Sequence, residues 1–321
     1  MNAADVAPEA QARFPQELMY TAAQQYYLED ATQGDIAKRL GVSRATVSRL
    51  LTEARRQGIV EIRVHRPASL GDGPLAAEVA ELLGLDRVHL VPKVSGPALG
   101  PWLAPGVARA LAGAGLESGD VVLVSSGTTV YECAREDLGR YPGVTIAPAV
   151  GGQEEPQPWF QTNETTRILA ERVGGVPAYL YAPALPGPEL FYSLQHEPSV
   201  RRVMDLWERA KCALVGVGSP PLMRQTVPSL MPRDAESLRQ AVGDVCMRIY
   251  DRDGEPVTYP GGERLVAAKQ EQLRRIPCSI AVAVGAEKVL SIVAGARGGY
   301  FNQLVTDTPT AEGLVAAAHQ L

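Results

Sequence analysis

The sequence predicts an α/β protein in two parts. An N-terminal helix-turn-helix domain, winged or close to it, precedes a Rossmann-like, doubly wound domain with a mostly parallel sheet. Three observations predict this. Residues 32–51, TQGDIAKRLGVSRATVSRLL, read as two short amphipathic helices around a glycine turn. Beyond residue 85, short apolar runs alternate with helical stretches, the grammar of strands joined by crossover helices. Between the two grammars lies a break rich in Pro and Gly, PASLGDGP at 67–74.

In chain order, residues 1–14 form a lead-in with little apolar pattern. Glu17–Leu28 is expected as a first helix, with Leu18, Tyr20, Ala22, Tyr26 and Tyr27 available to pack. Thr32 is placed to cap a helix reaching about Leu40, with Ile36, Ala37 and Leu40 on one face. Gly41 supplies the turn, because a left-handed backbone costs glycine almost nothing. Ser43 caps a second helix, through Glu53, that repeats Val47, Leu50 and Leu51 at helical spacing. Small Ala37 allows the two helices to approach closely. Ile59–Val64 alternates as IVEIRV and predicts a short strand, the wing.

The outward residues of this hairpin suit DNA. Thr32, Gln33, Ser43, Arg44, Ala45, Thr46, Ser48 and Arg49 are the expected contacts, with Arg44 and Arg49 fitted to base edges or phosphates. Arg55 and Arg56, with Arg63 and Arg66, are the expected phosphate anchors. A helical hairpin with a solvated basic face has the same turn. The coincidence of small residue, turn, cap and buried pattern, together with charge, favours DNA. From Gln33 to Arg66 there are eight Lys or Arg against three acids, while the whole chain carries −5.

Composition narrows the rest. A chain of 321 residues, 45% hydrophobic and 21% charged, is ordinary for a soluble protein of two domains. Its N-terminus lacks the basic start and apolar run of a secretory signal, and no stretch approaches the ~20 apolar residues of a membrane span. Cys133, Cys212, Cys246 and Cys278 are far apart, as are the four histidines. They suggest buried free thiols in a cytoplasmic protein, with no metal site, cofactor or catalytic triad.

The expected domains are residues 1–66, a linker helix within 67–84, and residues 85–321. The expected strands are Asp86–Val91, Asp120–Val124, Val144–Val150, Ala178–Ala182, Ala213–Val217, Ser279–Val284 and Gln303–Val305. Asp253-Gly254 marks a hairpin turn. Ligands of such sheets bind beyond the carboxyl ends of the strands, where four loops stand out. Ser125–Thr129 follows an apolar strand and opens a helix, so its amides and hydroxyls would hold a phosphate; a ligand-free Ser/Thr cap has the same pattern. Gly151-Gly152-Gln153 would admit a ligand close to the backbone, or simply turn. Lys288, in Gly285-Ala286-Glu287-Lys288, would bring a positive charge, though lone lysines are commonly solvated. Thr306-Asp307 would orient hydroxyls or cap the last helix. Without GxxxxGK[ST] or a strand–GxGxxG–helix unit, ATP and NAD have little support.

The chain resembles the SorC-type transcriptional regulators over nearly its whole length. The resemblance rests on YYLEDATQGDIAKRLGVSRATVSRLLTEARRQGIVEIRV, SSGTTV, PAVGGQ, TNETTRILAERVGG, EPSVRRVMDLWERAKCALVGVGS, AVGDVCMRIYDRDG, VAVGAEK and QLVTDTPTA, in the family's order. It implies a DNA reader joined to a sugar-phosphate sensor with a fold like ribose-5-phosphate isomerase and glucosamine-6-phosphate deaminase. By the same resemblance Ser126, Gly127, Thr128 and Thr129 would hold the phosphate with Lys288, and Gly152, Gln153, Asn163 and Asp251 would line the sugar end. The implied partners are double-stranded operator DNA, a phosphorylated sugar or polyol, and the chain itself as homodimer or homotetramer, with no membrane. The sequence departs from the family at PPLMRQTVPSLMP after VGVGS, at the single glycine of GAEK, and in SSGTT, which lacks the aromatic that often precedes the glycine.

The expected function is therefore a non-enzymatic transcription regulator of carbohydrate metabolism, controlled by a phosphosugar. Two rivals stand beside it. One is a sugar-phosphate isomerase or deaminase fused to a DNA reader, with Glu132, Asp251 and Lys288 as acid–base groups. The other is a DNA-binding protein whose second domain serves only assembly.

Overall fold

Three helices and a glycine turn make the first unit of the computed structural model, which divides into Met1–His65 and Arg66–Leu321. The structure describes residues 14–60, 62, 72–96, 98–221, 224 and 236–318. Helices α1 (Gln16–Tyr27), α2 (Gln33–Leu40) and α3 (Arg44–Arg56) enclose Met19, Ala22, Ala23, Ile36, Ala37, Val47, Leu50, Leu51 and Ala54. Both predicted caps form. The Thr32 hydroxyl accepts the Asp35 amide at 3.2 Å and donates to the Asp35 carboxylate at 2.6 Å, which holds that carboxyl below its usual range. The Ser43 hydroxyl accepts the Thr46 amide at 3.1 Å. Gly41 ends α2 at φ 65°, and Val42 then donates to the Ala37 carbonyl.

The expected wing strand begins differently. The amides of Ile59 and Val60 both return to the Ala54 carbonyl, closing the end of α3, and both side chains pack on the helical core. Of the remaining positions only Ile62 is described; Arg63 and Arg66 lie outside the described residues.

The second unit begins with α4 (Pro74–Leu83), β1 (Arg87–Val91) and α5 (Gly100–Gly113). Next come β2 (Val121–Val124), α6 (Thr128–Ala134), β3 (Thr145–Pro148), α7 (Thr162–Val173) and β4 (Val176–Pro177). The chain continues through α8 (Pro188–His196), α9 (Pro198–Trp207), β5 (Ala210–Gly216), β6 (Gly243–Val245) and β7 (Arg248–Tyr250). It ends with α10 (Gln270–Arg275), β8 (Cys278–Val282), α11 (Val289–Arg297), β9 (Gln303–Asp307) and α12 (Thr308–Ala318). Seven strands form one parallel sheet in the order β1-β9-β8-β5-β2-β3-β4. Side chains along β2 alternate between its faces. Val121 and Leu123 join the layer of α4, α9, α11 and α12, whereas Val122 and Val124 join the layer of α5, α6 and α7. Burial on both faces explains why the strands read as apolar runs.

Two expectations are corrected. The helix expected as a linker is a layer of the second unit: Ala76, Val79 and Leu83 of α4 sit in its core. The fourth strand lies at Val176–Pro177, ahead of the expected Ala178–Ala182. Ala178 still donates to the Ile146 carbonyl at 2.8 Å, but the Leu180 amide goes to the Asn163 side chain and the ladder stops. The predicted turn at Asp253-Gly254 does form; past it, Pro256 bridges Tyr250, while β7 pairs antiparallel with β6 on its other side.

Strand order decides where a ligand can enter. From β2 the chain winds outward to β3 and β4; from β5 it winds the opposite way, to β8 and β9. The crevice beyond the carboxyl ends of β2 and β5 is therefore the topological switch point.

Candidate functional site

The reader presents one face. On α3, Arg44, Ala45, Ser48 and Arg49 are exposed and Thr46 is half-buried, while Val47, Leu50 and Leu51 point inward. Among the described residues neither Arg44 nor Arg49 has an ion-pair partner. Arg56 differs: its guanidinium grips the Glu53 carboxylate through Nε at 2.8 Å and through Nη2. Part of its charge is thus spent within the helix. Arg55 reaches Thr52 at 3.5 Å and stays exposed. Thr32 and Gln33 line a shallow depression together with Arg44, Tyr26 and Tyr27.

At the switch point of the second unit is a cavity of about 520 Å³. The loop after β2 supplies Ser126, Gly127, Thr128 and Thr129; the loop after β5 supplies Gly216–Ser219; the loop after β8 supplies Glu287 and Lys288. Gly127 (φ 121°, ψ 147°) and Gly285 (φ 116°, ψ 143°) share a backbone conformation reserved almost wholly for glycine, and each leads its strand into a helical turn. The Ser125 hydroxyl accepts the Gly216 amide at 3.0 Å, tying the first two loops together. Thr310 accepts the Gly285 amide at 2.8 Å and is itself held by Asp307, which bonds its amide and hydroxyl. Asp307 also accepts the Val94 amide, so it braces the lysine loop from behind, outside the cavity lining.

Lys288 extends beneath the β5 loop and donates to the Val217 carbonyl at 2.6 Å. Burial, reinforced by the nearby Arg224 guanidinium, pushes its ammonium below the usual lysine range; Asp244 and Glu287 pull the other way. Arg224 pairs with the Asp244 carboxylate and donates through Nε to the Ser219 carbonyl at 2.7 Å. Asp244 also accepts the Met247 amide at 3.0 Å. That bond steadies the β6–β7 turn, where Cys246 (φ 52°) and Met247 (φ 63°) are both left-handed. Such a turn ordinarily takes Asn-Gly, and each left-handed non-glycine residue costs about 1–2 kcal/mol. Both residues of this strained tip line the cavity, and burial pushes the Cys246 thiol up to about 12. The remaining wall is Gln153, Trp159 and Phe160.

Six expected effector residues therefore meet: Ser126, Gly127, Thr128, Thr129, Gln153 and Lys288. The Gly127 amide donates to the Trp159 carbonyl at 2.7 Å, while the residue itself stays in the lining. Gln153 donates to the Ser126 hydroxyl at 2.9 Å. The other three expected residues are outside the lining. Gly152 exchanges backbone bonds with Ala182 and Ala184, so the close approach there is chain against chain. Asn163 spends its amide on both backbone groups of Leu180. Asp251 caps the turn after β7, accepting the amides of Asp253 and Glu255 at 3.0 Å each. Sequence reasoning missed Arg224, Asp244, Trp159 and Phe160. Arg224 lies inside the departure that follows VGVGS, and Asp244 inside the AVGDVCMRIYDRDG stretch.

Of the three residues weighed as acid–base groups, Glu132, Asp251 and Lys288, only the lysine lines the cavity. Glu132 accepts the amides of Leu99 and Gly100 at the start of α5. Asp251 is engaged as described, which leaves Lys288 alone of the three in the cavity lining. Among the described residues, no helix is long and apolar enough to cross a membrane.

Known proteins match both units. The family model described as "Putative sugar-binding domain" matches residues 70–316, and a Crp-like helix-turn-helix domain matches residues 16–72. The Deoxyribonucleoside regulator of Bacillus subtilis is 32% identical over 315 residues, covering 94% of this chain and 98% of the relative. The Sorbitol operon regulator of Klebsiella pneumoniae is 30% identical over 309 residues, covering 92% and 96%. The crystal structure of full-length SorC from Klebsiella pneumoniae superposes with a TM-score of 0.65 at 28% identity, covering 93% of this chain and 98% of that one. All three carry the name of a regulator. Reader, parallel-sheet sensor and full-length similarity together make this chain a member of the SorC-type family of sugar-binding transcriptional regulators.

Proposed function

We propose that the 520 Å³ cavity binds a phosphorylated sugar or polyol, and that this binding changes the affinity of α3 for a double-stranded operator. One observation supports the reading above others. The hydroxyls of Thr128 and Thr129, at a helix start whose first amides have no intrahelical acceptor, share a lining with the two cations Lys288 and Arg224. The phosphate sits against Ser126–Thr129 and Lys288, and Asp244 and Gln153 take sugar hydroxyls. The first unit carries the operator contacts; the second unit, α4 included, carries effector binding and assembly into a homodimer or homotetramer. Paired readers then engage half-sites of an operator in the cytoplasm. The effector acts only through its difference in affinity between the two arrangements of readers.

The test is a thermal-shift screen of the full chain against sugar phosphates, polyol phosphates and their free sugars, followed by operator titration with and without the best hit. A phosphorylated ligand at a hundredfold excess over its Kd stabilises by about 2.7 kcal/mol. A shift with free sugars alone, or no change in operator affinity with a bound phosphosugar, sinks the proposal.

The reader carries its own prediction. Arg44→Ala lowers operator affinity by about 1–3 kcal/mol and relaxes preference at one base pair if Arg44 reads a base. If it holds a phosphate, the loss is uniform across sequences and the salt slope falls by about one. Titration against the operator and its point variants distinguishes these, and wild-type affinity at every site refutes both.

A further inference from the structure

The cavity changes character away from its cations. A 3-10 turn, Pro158–Phe160, brings two half-buried aromatic side chains, Trp159 and Phe160, into the lining. Their ring centroids are 6.2 Å apart and their planes meet at 51°, so this part of the wall carries two flat apolar groups set at an angle. The turn is anchored from both sides. The Trp159 carbonyl accepts the Gly127 amide at 2.7 Å, and the following residue, Gln161, donates its side-chain amide to the carbonyls of Gln153 (3.0 Å) and Glu155 (2.8 Å). The first bond joins the aromatic pair to the loop that carries Thr128 and Thr129, which sets the reach from phosphate to aromatic wall. Trp159 also lines a second cavity, of about 760 Å³, with Tyr131 and Arg135.

Flat apolar surface beside a cationic end selects for ligand shape. A polyol phosphate is an open chain with hydroxyls disposed around it; it has no flat apolar face and loses the rotation of every carbon–carbon bond on binding. A sugar closed into a ring has a C–H face on one side, hydroxyls at its rim and few rotors left to freeze. Burying that face against Trp159 and Phe160 removes apolar surface of both partners from water. The hydroxyls remain for Asp244 and Gln153.

Resting on the phosphosugar reading above, we infer that Trp159 and Phe160 are specificity-determining residues that make the effector a cyclic sugar phosphate, its C–H face stacked on the aromatic pair and its phosphate on the Thr128–Thr129 loop. Open-chain polyol phosphates are the class rejected.

The test is isothermal titration of the full chain with a matched pair, glucose 6-phosphate and its open-chain reduction product sorbitol 6-phosphate, and with ribose 5-phosphate against ribitol 5-phosphate. Inorganic phosphate probes the anion end alone. At least one cyclic member binds roughly fivefold or more tightly than its open-chain partner. Trp159→Leu removes that preference while sparing inorganic phosphate affinity, and Trp159→Phe restores most of it. Phe160→Leu repeats the loss should Trp159→Leu fail to fold. Equal or tighter binding of the open-chain members overturns the inference but leaves the phosphate reading intact. So does a Trp159→Leu variant that weakens every ligand, inorganic phosphate included, by the same factor. If no phosphorylated compound binds, the phosphosugar reading falls and this inference with it.

Discussion

Leu50→Ala abolishes operator binding and leaves the melting of the larger unit where it was. The reader core is rich in alanine: among the described residues, Ala22, Ala23, Ala37 and Ala54 are four of its nine buried ones. Met19, Ile36, Val47, Leu50 and Leu51 supply most of its buried apolar volume, and Leu50 is fully enclosed. Truncating such a leucine costs about 2–5 kcal/mol, the transfer energy of the lost carbons plus the cavity left behind. A unit this small has little margin to absorb that. Because α3 carries both Leu50 and the exposed Arg44 and Arg49, losing the core also loses the face. Calorimetry of wild type and variant checks this, with a first transition that falls or disappears and a second that keeps its temperature and its response to ligand. Operator affinity at the wild-type level in Leu50→Ala contradicts this account of the reader.

The second large effect is expected at Lys288. Lys288→Ala removes a cation from a site that is partly closed to water, and a charge-assisted bond there contributes about 1.5–3 kcal/mol. Affinity for a phosphorylated ligand should drop roughly 10- to 150-fold, and with it the thermal shift. The pH dependence gives a second check. Burial and Arg224 hold the Lys288 ammonium below its ordinary value in the free protein, so its charge is lost on raising pH sooner than that of a solvated lysine. Phosphate affinity therefore declines as pH climbs through that lowered value. Lys288→Arg, which stays protonated, postpones the decline. Stability of the unliganded protein moves the other way. Between the lowered folded value and the ordinary unfolded one the unfolded chain binds more protons, so this lysine's contribution makes the fold more stable as pH rises across that window. Titration calorimetry from pH 7 to 10 on the wild type and the arginine variant decides the matter, and identical pH profiles would remove Lys288 from the anion site.

Some of this was written locally. Thr32, Gly41 and Ser43 act on backbone groups within a few residues, so their spacing alone specified two caps and a turn. The alternation of apolar runs with helices likewise specified a doubly wound sheet, because a strand buried on both faces and the helix after it are each short-range patterns. The Ser126–Thr129 loop was readable for the same reason, as one contiguous stretch between a strand and a helix. Asn163 and Asp251 fall outside the cavity lining because a side chain that can bind a sugar hydroxyl can equally bind a backbone group. The choice depends on what lies opposite, and for Asn163 that is Leu180, seventeen residues along the chain.

Tertiary structure alone decided which loops meet. The order β8-β5-β2 brings Lys288, the Gly216–Ser219 loop and Ser126–Thr129 to one crevice from three distant parts of the chain. It also sets Arg224 against Asp244, from segments with no periodic signal of their own, and Trp159 against the Gly127 amide. Caps, turns and amphipathic faces follow from interactions between near neighbours in sequence, which a reader of the chain can enumerate. A cavity follows from contacts between remote residues, and those exist only once the strands have chosen their order.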